Sequence, residues 1–395
     1  MKTLNKNILI LFFTLVVVML GFGMVIPILP FYVKSLGASG TALGGLMATY
    51  AVMQFIFAPV WGSLSDRYGR KPVLILGVLG NAIAQLLFGL STQLWMLFAS
   101  RILAGILSSA TLPTAMAYVS DSTTSRERGG GMGIMGAAMG IGMVLGPGMA
   151  GMLAKNSLAT PFFLASGLSM LALLLILVIL PESLPSQARE GATGKLQGPQ
   201  FQEMWQALFS PIGLLLFISF LLSFGLTNFE SVFGLFALER YNYGPEQVGG
   251  LLTYIGLLSA IIQGAFTGPL TRRWGETAII KASLLASALA FPLMLLAKNL
   301  AGILLTVGFF ILSNSLLRPA ASSLISKRTT VGQGVAMGLN NSFMSVGRAF
   351  GPLTAGLLFD MNSNLPYLSG GIIMLVGYVI ALLWLGHQTP GQEQP

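Results

Sequence analysis

Apolar residues occur in long runs along almost the whole chain, and short polar segments separate these runs. Runs of roughly 18 residues or more are long enough for a helix to cross about 30 Å of hydrocarbon. The pattern therefore predicts an all-α polytopic membrane protein with twelve transmembrane helices. The predicted spans cover residues 8–32, 41–62, 72–91, 94–118, 129–152, 161–181, 211–238, 246–268, 277–297, 300–325, 333–359 and 366–386.

One sizeable polar segment, residues 182–210, separates the sixth span from the seventh. We expect a cytoplasmic linker there, ending in a short amphipathic stretch. It would join an N-terminal six-helix bundle, residues 1–181, to a C-terminal six-helix bundle with a short cytoplasmic tail, residues 211–395. No soluble segment is large enough for an ATPase domain, and no G-x-x-x-x-G-K-[ST] loop occurs.

The distribution of cations predicts the orientation of the chain. With the N-terminus inside, thirteen Lys and Arg residues fall on the inner side, whereas the outer side carries only Lys34, Lys155, Arg240 and Lys298. This positive-inside bias places both termini in the cytoplasm. The first twenty residues resemble a signal peptide, but no small-residue cleavage site follows, so we interpret them as an uncleaved first span.

The composition excludes several kinds of chemistry. Hydrophobic residues make up 54% of the chain and charged residues 8%, there is no cysteine, and the single histidine is His387. Disulfides, thiolate metal sites and His-based triads are excluded, and neither a metal nor another cofactor is expected. The net charge of +9 could suggest nucleic-acid binding, but the cations are scattered between the spans, so no nucleic-acid partner is expected.

Two separate landmarks repeat at nearly the same distance along the chain. "LGGLMATY" from Leu43 and "VGGLLTYI" from Val248 align at an offset of 205, and the glycines that follow align at 206. In the fifth and eleventh spans, Pro147 and Pro352 are again 205 apart. The repeat predicts two pseudo-symmetric six-helix bundles related in parallel, because six spans return the chain to its starting side.

Several motifs within these repeats are specific enough to indicate a family. "GSLSDRYGRKP" from Gly62, "LFASRILAG" around Arg101, and "GIGMVLGPGMAG" in the fifth span resemble motifs of the major facilitator superfamily. The chain is similar to its twelve-span drug:proton antiporter family, which includes bacterial multidrug and tetracycline exporters. The resemblance implies the major facilitator fold, a bacterial plasma-membrane location, and exchange of small amphipathic molecules for protons. It is compatible with a monomer in the lipid bilayer.

The charged loop after the second span is interpreted as a cytoplasmic gate. A carboxylate at Asp66 can interact favourably with exposed helix N-terminal amides. The resemblance implies that Asp66 faces the start of the eleventh span near Gly332–Gly334 and that Arg70 pairs with Asp121. The alternative is that these charges only set topology. The predicted gate residues are Gly62, Asp66, Arg67, Gly69, Arg70 and Asp121. Gly62 and Gly69 are expected to allow a tight turn and close packing.

Four ionisable side chains fall well inside predicted spans: Glu230, Arg101, Arg318 and Arg348. Each costs at least about 2.5–3.5 kcal/mol at a helix centre, so each indicates a polar cavity or a buried pair. Glu230 is the only embedded carboxylate and is our candidate for binding a proton or a cationic substrate. The alternative for Glu230 is a structural salt bridge to Arg318 or Arg348. The resemblance implies a part in proton coupling for Arg101, with a structural bond to backbone carbonyls as its alternative. Arg318 and Arg348 are also predicted to take part in proton coupling.

Substrate contacts are expected from polar, aromatic and thioether side chains at mid-span depth, which suit amphipathic and cationic molecules. The candidates are Gln54, Met143, Asn228, Phe229, Phe233, Asn314, Asn340 and Phe343. Packing against helices or lipid is the alternative for each. The antiporter-like motif of the fifth span contributes Gly142, Gly146, Pro147 and Gly151, which suit close helix contact and a bend.

The function favoured by the sequence is proton-coupled efflux of small amphipathic drugs by alternating access. A narrow-range exporter of tetracycline, sugar or a lipid-like molecule and an importer remain open within transport. A non-transporting membrane sensor and a membrane enzyme are the alternatives of another class. The absence of Cys and of clustered embedded acids weakens the enzyme interpretation.

Overall fold

The computed structural model describes residues 6–385 except 125, 186 and 188–197. Fourteen α-helices are defined in these residues, and all of the regular structure described is helical. They are α1 Lys6–Ser35, α2 Gly40–Tyr68, α3 Arg70–Gly89, α4 Leu94–Leu107, α5 Thr111–Ser122, α6 Arg128–Leu153, α7 Thr160–Ile179, α8 Phe201–Leu208, α9 Gly213–Tyr241, α10 Pro245–Ile261, α11 Thr267–Met294, α12 Leu300–Arg328, α13 Gln333–Met361 and α14 Leu365–Leu385. The middle of the predicted linker and His387 lie outside the described residues.

The prediction of an all-α membrane protein is confirmed, and all twelve predicted spans coincide with helices. Within the described residues, ten helical segments are long and apolar enough to cross a membrane. One of them, Pro245–Met294, joins the eighth and ninth predicted spans through the π-helical turn Ile262–Phe266. The eleventh predicted span corresponds to α13, Gln333–Met361, which is a helix but is not among these ten segments.

Two irregularities in the backbone divide helices of the structure. The fourth predicted span consists of α4 and α5, with the 3₁₀ turn Ser108–Ala110 between them, just before Pro113. Gly275 interrupts α11 with φ 74° and ψ 158°, a conformation that favours glycine. The ninth predicted span therefore begins immediately after Gly275.

The chain divides into two compact units. The first contains residues 1–199 together with 237–256, and the second contains residues 200–236 and 257–395. In the first unit, Leu11, Leu15, Val78 and Tyr118 belong to a buried cluster that α1, α3, α5, α6 and α7 share. This cluster packs these five helices against one another.

Glycines let equivalent helices approach each other closely in both units. In the first unit, a Cβ added to Gly142 of α6 would lie 2.6 Å from the Val16 carbonyl oxygen of α1. In the second unit, a Cβ added to Gly347 of α13 would lie 2.5 Å from the Phe220 carbonyl oxygen of α9. Gly142 and Gly347 are 205 residues apart, so the repeat seen in the sequence recurs as the same backbone contact.

Candidate functional site

The charged loop after α2 forms a compact cluster of side chains around Arg70, which we call the Arg70 cluster. The Arg70 side chain is 8% exposed and donates from Nε to Asp121 Oδ2 at 2.8 Å. Its Nη1 donates to Asp66 Oδ1 at 2.6 Å and to Ser65 Oγ at 2.7 Å. The guanidinium thus holds the end of α2 against the end of α5 and brings the two predicted acids onto one cation.

Gly69 makes the sharp turn that presents Arg70. Its φ of 105° and ψ of 161° place it in a region that favours glycine, and it separates α2 from α3. Gly62 differs from the expectation of a turn residue, because α2 continues to Tyr68 and a Cβ on Gly62 would meet nothing within 4 Å. Arg67 lies in the last turn of α2, where a cation is favoured by the helix dipole.

Glu182 belongs to the same cluster and was missed by the sequence reasoning. Its carboxylate accepts from the backbone N–H of Arg70 at 2.9 Å and of Lys71 at 3.1 Å. These are unsatisfied N–H groups of the first turn of α3, so Glu182 caps that helix. The only signal in the sequence was an acid directly after the sixth span, which does not reveal that this end meets α3.

The second unit carries a related cluster with the charges reversed, which we call the Glu276 cluster. Glu276 follows Gly275 as Arg70 follows Gly69, at an offset of 206. Lys327 Nζ lies 2.6 Å from Glu276 Oε1, and Ser323 Oγ donates to the same oxygen at 2.9 Å. Lys327 is in turn 206 residues beyond Asp121, so an acid and a base have exchanged places between the two units.

Glu230 lies near the middle of α9 and is half-buried. Among the described ion pairs, none includes Glu230, so the alternative of a salt bridge to Arg318 or Arg348 gains no contact in the structure. Arg348 is half-buried on α13 and donates from Nη2 to Ser345 Oγ at 2.6 Å. Arg318 lies on α12 with an exposed side chain.

Several of the residues predicted to contact substrate in the second unit are buried in the packing between helices. Phe229 is 1% exposed, and its ring centroid lies 4.9 Å from that of Phe233 and 5.2 Å from that of Phe310. Asn228 Nδ2 donates to the Pro366 carbonyl at 2.8 Å. Phe343 is also buried. In this structure these residues pack α9 against its neighbours in the second unit.

Three of the asparagines predicted to contact substrate retain a buried side-chain atom without a hydrogen-bond partner in the described residues. These atoms are Asn228 Oδ1, Asn314 Nδ2 and Asn340 Oδ1. A buried polar atom without a partner is costly, so each is a place where a water molecule or a ligand can bind. In the first unit, Gln54 donates to the Tyr50 hydroxyl at 3.4 Å, and Met143 is half-buried on α6.

The motif glycines of α6 act through close packing. A Cβ on Gly146 would lie 2.7 Å from the Leu20 carbonyl oxygen, and one on Gly151 would lie 2.7 Å from the Pro245 carbonyl oxygen. Pro147 is buried within the helix. Gly142, Gly146 and Gly151 therefore leave α6 in contact with α1 on one side and with the start of α10 on the other.

Comparisons with known proteins agree with this architecture. The Major Facilitator Superfamily model matches residues 11–317 and again residues 250–395. The chain is 33% identical to Multidrug resistance protein 2 of Bacillus subtilis over 387 residues, 97% of either chain. It is 31% identical to the quinolone resistance protein NorA of Staphylococcus aureus over 392 residues, 99% of this chain and 100% of that one.

Among solved structures, a bacterial homolog of the human lysosomal transporter Spinster, crystallised in an inward-facing and occupied conformation, matches with a TM-score of 0.80. The match covers 97% of this chain and 98% of that one at 12% identity. At this identity the likeness shows the fold alone. The fold is shared over almost the full length.

Proposed function

Because the chain belongs to the Major Facilitator Superfamily, a family of membrane transporters, we propose that it exports small amphipathic, drug-like molecules in exchange for protons. It is a multi-pass membrane protein that transports small molecules. Support for drugs as substrates comes from the full-length similarity to the multidrug and quinolone resistance proteins. The proposed location is the bacterial plasma membrane, with both termini in the cytoplasm and a monomer as the working unit.

The observation that carries proton coupling is the position of Glu230. It is a carboxyl group in the middle of an apolar helix, and none of the described ion pairs includes it. Such a group can exist as a neutral acid when a proton is bound, or pair with a cation when the proton has left. A proton and a cationic substrate would then compete for this one side chain. The protein would carry the substrate outward and the proton inward in alternate steps.

The other embedded charges are proposed to assist this exchange. Arg101, Arg318 and Arg348 are cations that would favour proton release from an acid if a conformational change brought them closer. The residues proposed to contact substrate remain Gln54, Met143, Asn228, Phe229, Phe233, Asn314, Asn340 and Phe343, with the buried ones reached only after side-chain movement.

The Arg70 cluster is proposed to form part of the cytoplasmic gate. Asp66 is 57% exposed although it accepts a hydrogen bond from Arg70, so its carboxylate remains available to a further partner as the conformation changes. Arg67, Gly69 and Asp121 are assigned to the same gate. The proposed organisation keeps residues 1–181 and 211–395 as two helix bundles joined by the linker 182–210.

The test uses purified protein in liposomes with an imposed pH gradient and ethidium as the transported cation. Wild type should accumulate ethidium only with the gradient, and Glu230→Gln should abolish this accumulation. Glu239→Gln is the matched control, because Glu239 lies on the same helix but is 45% exposed and pairs with Lys34 at 3.7 Å. Equal uptake by Glu230→Gln and Glu239→Gln would remove Glu230 from the mechanism.

Absence of ethidium transport in wild type would have a different meaning. It would favour a narrow-range exporter of neutral or anionic molecules, because the embedded arginines suit an anion better than a cation. Counterflow with labelled neutral and anionic compounds in the same liposomes would then identify the substrate class.

A further inference from the structure

A small cavity lies inside the first unit, bordered by α1, α2, α3 and α4 and by the 3₁₀ turn that follows α4. Its volume is about 20 Å³, which is room for roughly one water-sized sphere. The polar residues that line it are Tyr50, Asn81, Gln85, Ser100, Arg101 and Ser108. The cavity can therefore hold a very small polar species but not a drug-sized molecule.

Among the described residues that line this cavity, Arg101 is the only one with a charged side chain. It is 5% exposed, and its Nε has no hydrogen-bond partner in the described part of the chain. The ring centroids of Tyr50 and Phe88 lie 5.5 Å and 5.2 Å from its Cζ, so aromatic faces contribute part of its stabilisation. None of the ion pairs formed by described residues includes Arg101.

The neutral polar groups of the lining are largely engaged with one another or with backbone. Ser100 donates to the Leu97 carbonyl at 2.8 Å, Asn81 donates to Ser169 at 2.9 Å, and Ser108 donates to Asn81 at 3.2 Å. Gln85 is the exception, because none of the hydrogen bonds formed by described residues includes its amide nitrogen, which lies beside Gly21 of α1. The positive charge of Arg101 is therefore not balanced by any of the residues that line the cavity.

A buried cation without an acid is costly, and the cost falls when a negative charge is placed beside it. A cation would be repelled by Arg101, and a neutral water would satisfy a donor without balancing the charge. We propose that this cavity binds a small inorganic anion of halide size, with Arg101 as the charged donor. The amide of Gln85 is placed in the same lining as a second donor.

This site is separate from the identity of the exported molecule, because its residues and volume belong to the first unit alone. Binding of an anion there would stabilise the folded protein whether or not any drug is present. The test therefore reads protein stability and anion position, and its failure would leave the export proposal standing.

The experiment measures thermal unfolding of the purified full chain by intrinsic fluorescence, with chloride replaced by gluconate at constant ionic strength. Chloride should raise the unfolding temperature of wild type, with bromide acting similarly, because gluconate is too large for the cavity. Arg101→Gln should weaken the apparent halide affinity by about tenfold or more, corresponding to about 1.4 kcal/mol. Arg128→Gln, which removes an exposed arginine outside the cavity, is the matched control and should respond as wild type does.

A second variant keeps the proposal testable if Arg101→Gln fails to fold. Gln85→Glu places a permanent carboxylate in the same cavity, so it should make the protein as stable in gluconate as wild type is in chloride. Its response to chloride should disappear. A bromide-soaked crystal of wild type should show an anomalous peak beside Arg101.

Three results would overturn the proposal. They are equal stabilisation of wild type by gluconate and chloride, an undiminished chloride response in both Arg101→Gln and Gln85→Glu, and bromide peaks only at other places. Each would indicate that Arg101 is balanced by water and by the aromatic rings alone.

Discussion

Replacing Asp121 by Asn is expected to destabilise the part of the first unit around the Arg70 cluster more than replacing Asp66. Both acids accept from the same guanidinium, but the Asp121 side chain is 25% exposed and the Asp66 side chain is 57% exposed. Arg70 itself is 8% exposed. Water can replace the contribution of Asp66 more readily than that of Asp121. Comparing the two substitutions therefore shows how much the burial of an ion pair adds to its contribution to stability.

The expected magnitudes follow from these exposures. A hydrogen bond to a charged group contributes about 1.5–3 kcal/mol, and the bond between Arg70 and Asp121 is partly buried. We therefore expect Asp121→Asn to lower the free energy of unfolding by about 2 kcal/mol. Exposed ion pairs contribute about 0–1 kcal/mol, which is the range expected for Asp66→Asn. The double variant should lose more than the sum, because it leaves the buried Arg70 without either of these carboxylates.

The assay is reversible unfolding in mixed micelles of increasing denaturing-detergent content, followed by circular dichroism. Glu246→Gln is the control, since Glu246 and Lys155 form a pair at 2.8 Å with side chains 48% and 56% exposed. Its loss should stay below about 1 kcal/mol. If Asp121→Asn were no more destabilising than Glu246→Gln, the assignment of Asp121 as the principal partner of Arg70 would be wrong.

The remaining predictions concern the gate, the reversed cluster and the packing of α6. Asp66→Asn should reduce gradient-driven export strongly while the protein stays nearly as stable as wild type; unaltered export in the liposome assay would contradict its gating role. Glu276→Lys and Lys327→Glu should each lower the free energy of unfolding, whereas the protein with both substitutions should regain most of the loss. If the double variant were not rescued in the same unfolding assay, the pairing of Glu276 with Lys327 would be dispensable. Gly142→Ala should cost about 1–3 kcal/mol because the new Cβ would lie 2.6 Å from a carbonyl oxygen of α1. Gly140→Ala on the same helix has nothing within 4 Å and should be neutral or stabilising by up to about 1 kcal/mol, so equal losses in both would refute the packing argument.

Part of the Glu276 cluster could be predicted from the sequence repeat alone. The offset that aligns Gly69 with Gly275 also aligns Arg70 with Glu276 and Asp121 with Lys327. The exchange of signs was therefore present in the sequence once the register was known. That Glu276 and Lys327 come within 2.6 Å is a property of the folded chain, because two charges on separate segments need not meet.

The twelve spans, the all-α class and the two-fold repeat were determined by the sequence alone. Long apolar runs leave a backbone in hydrocarbon few alternatives to a helix, and this constraint acts locally along the chain. The start of α2 followed from the same pattern, whereas its end was predicted at residue 62 and lies at Tyr68, because Gly69 makes the turn into α3.

Only the tertiary structure decided which charges meet. The carboxylate of Asp121 pairs with an arginine 51 residues away, and Glu182 caps a helix that begins 112 residues earlier. Arg101, by contrast, is buried between aromatic rings with no acid in the lining of its cavity. Hydropathy acts over neighbouring residues, whereas the partner of a charge depends on which helix ends the packing brings together.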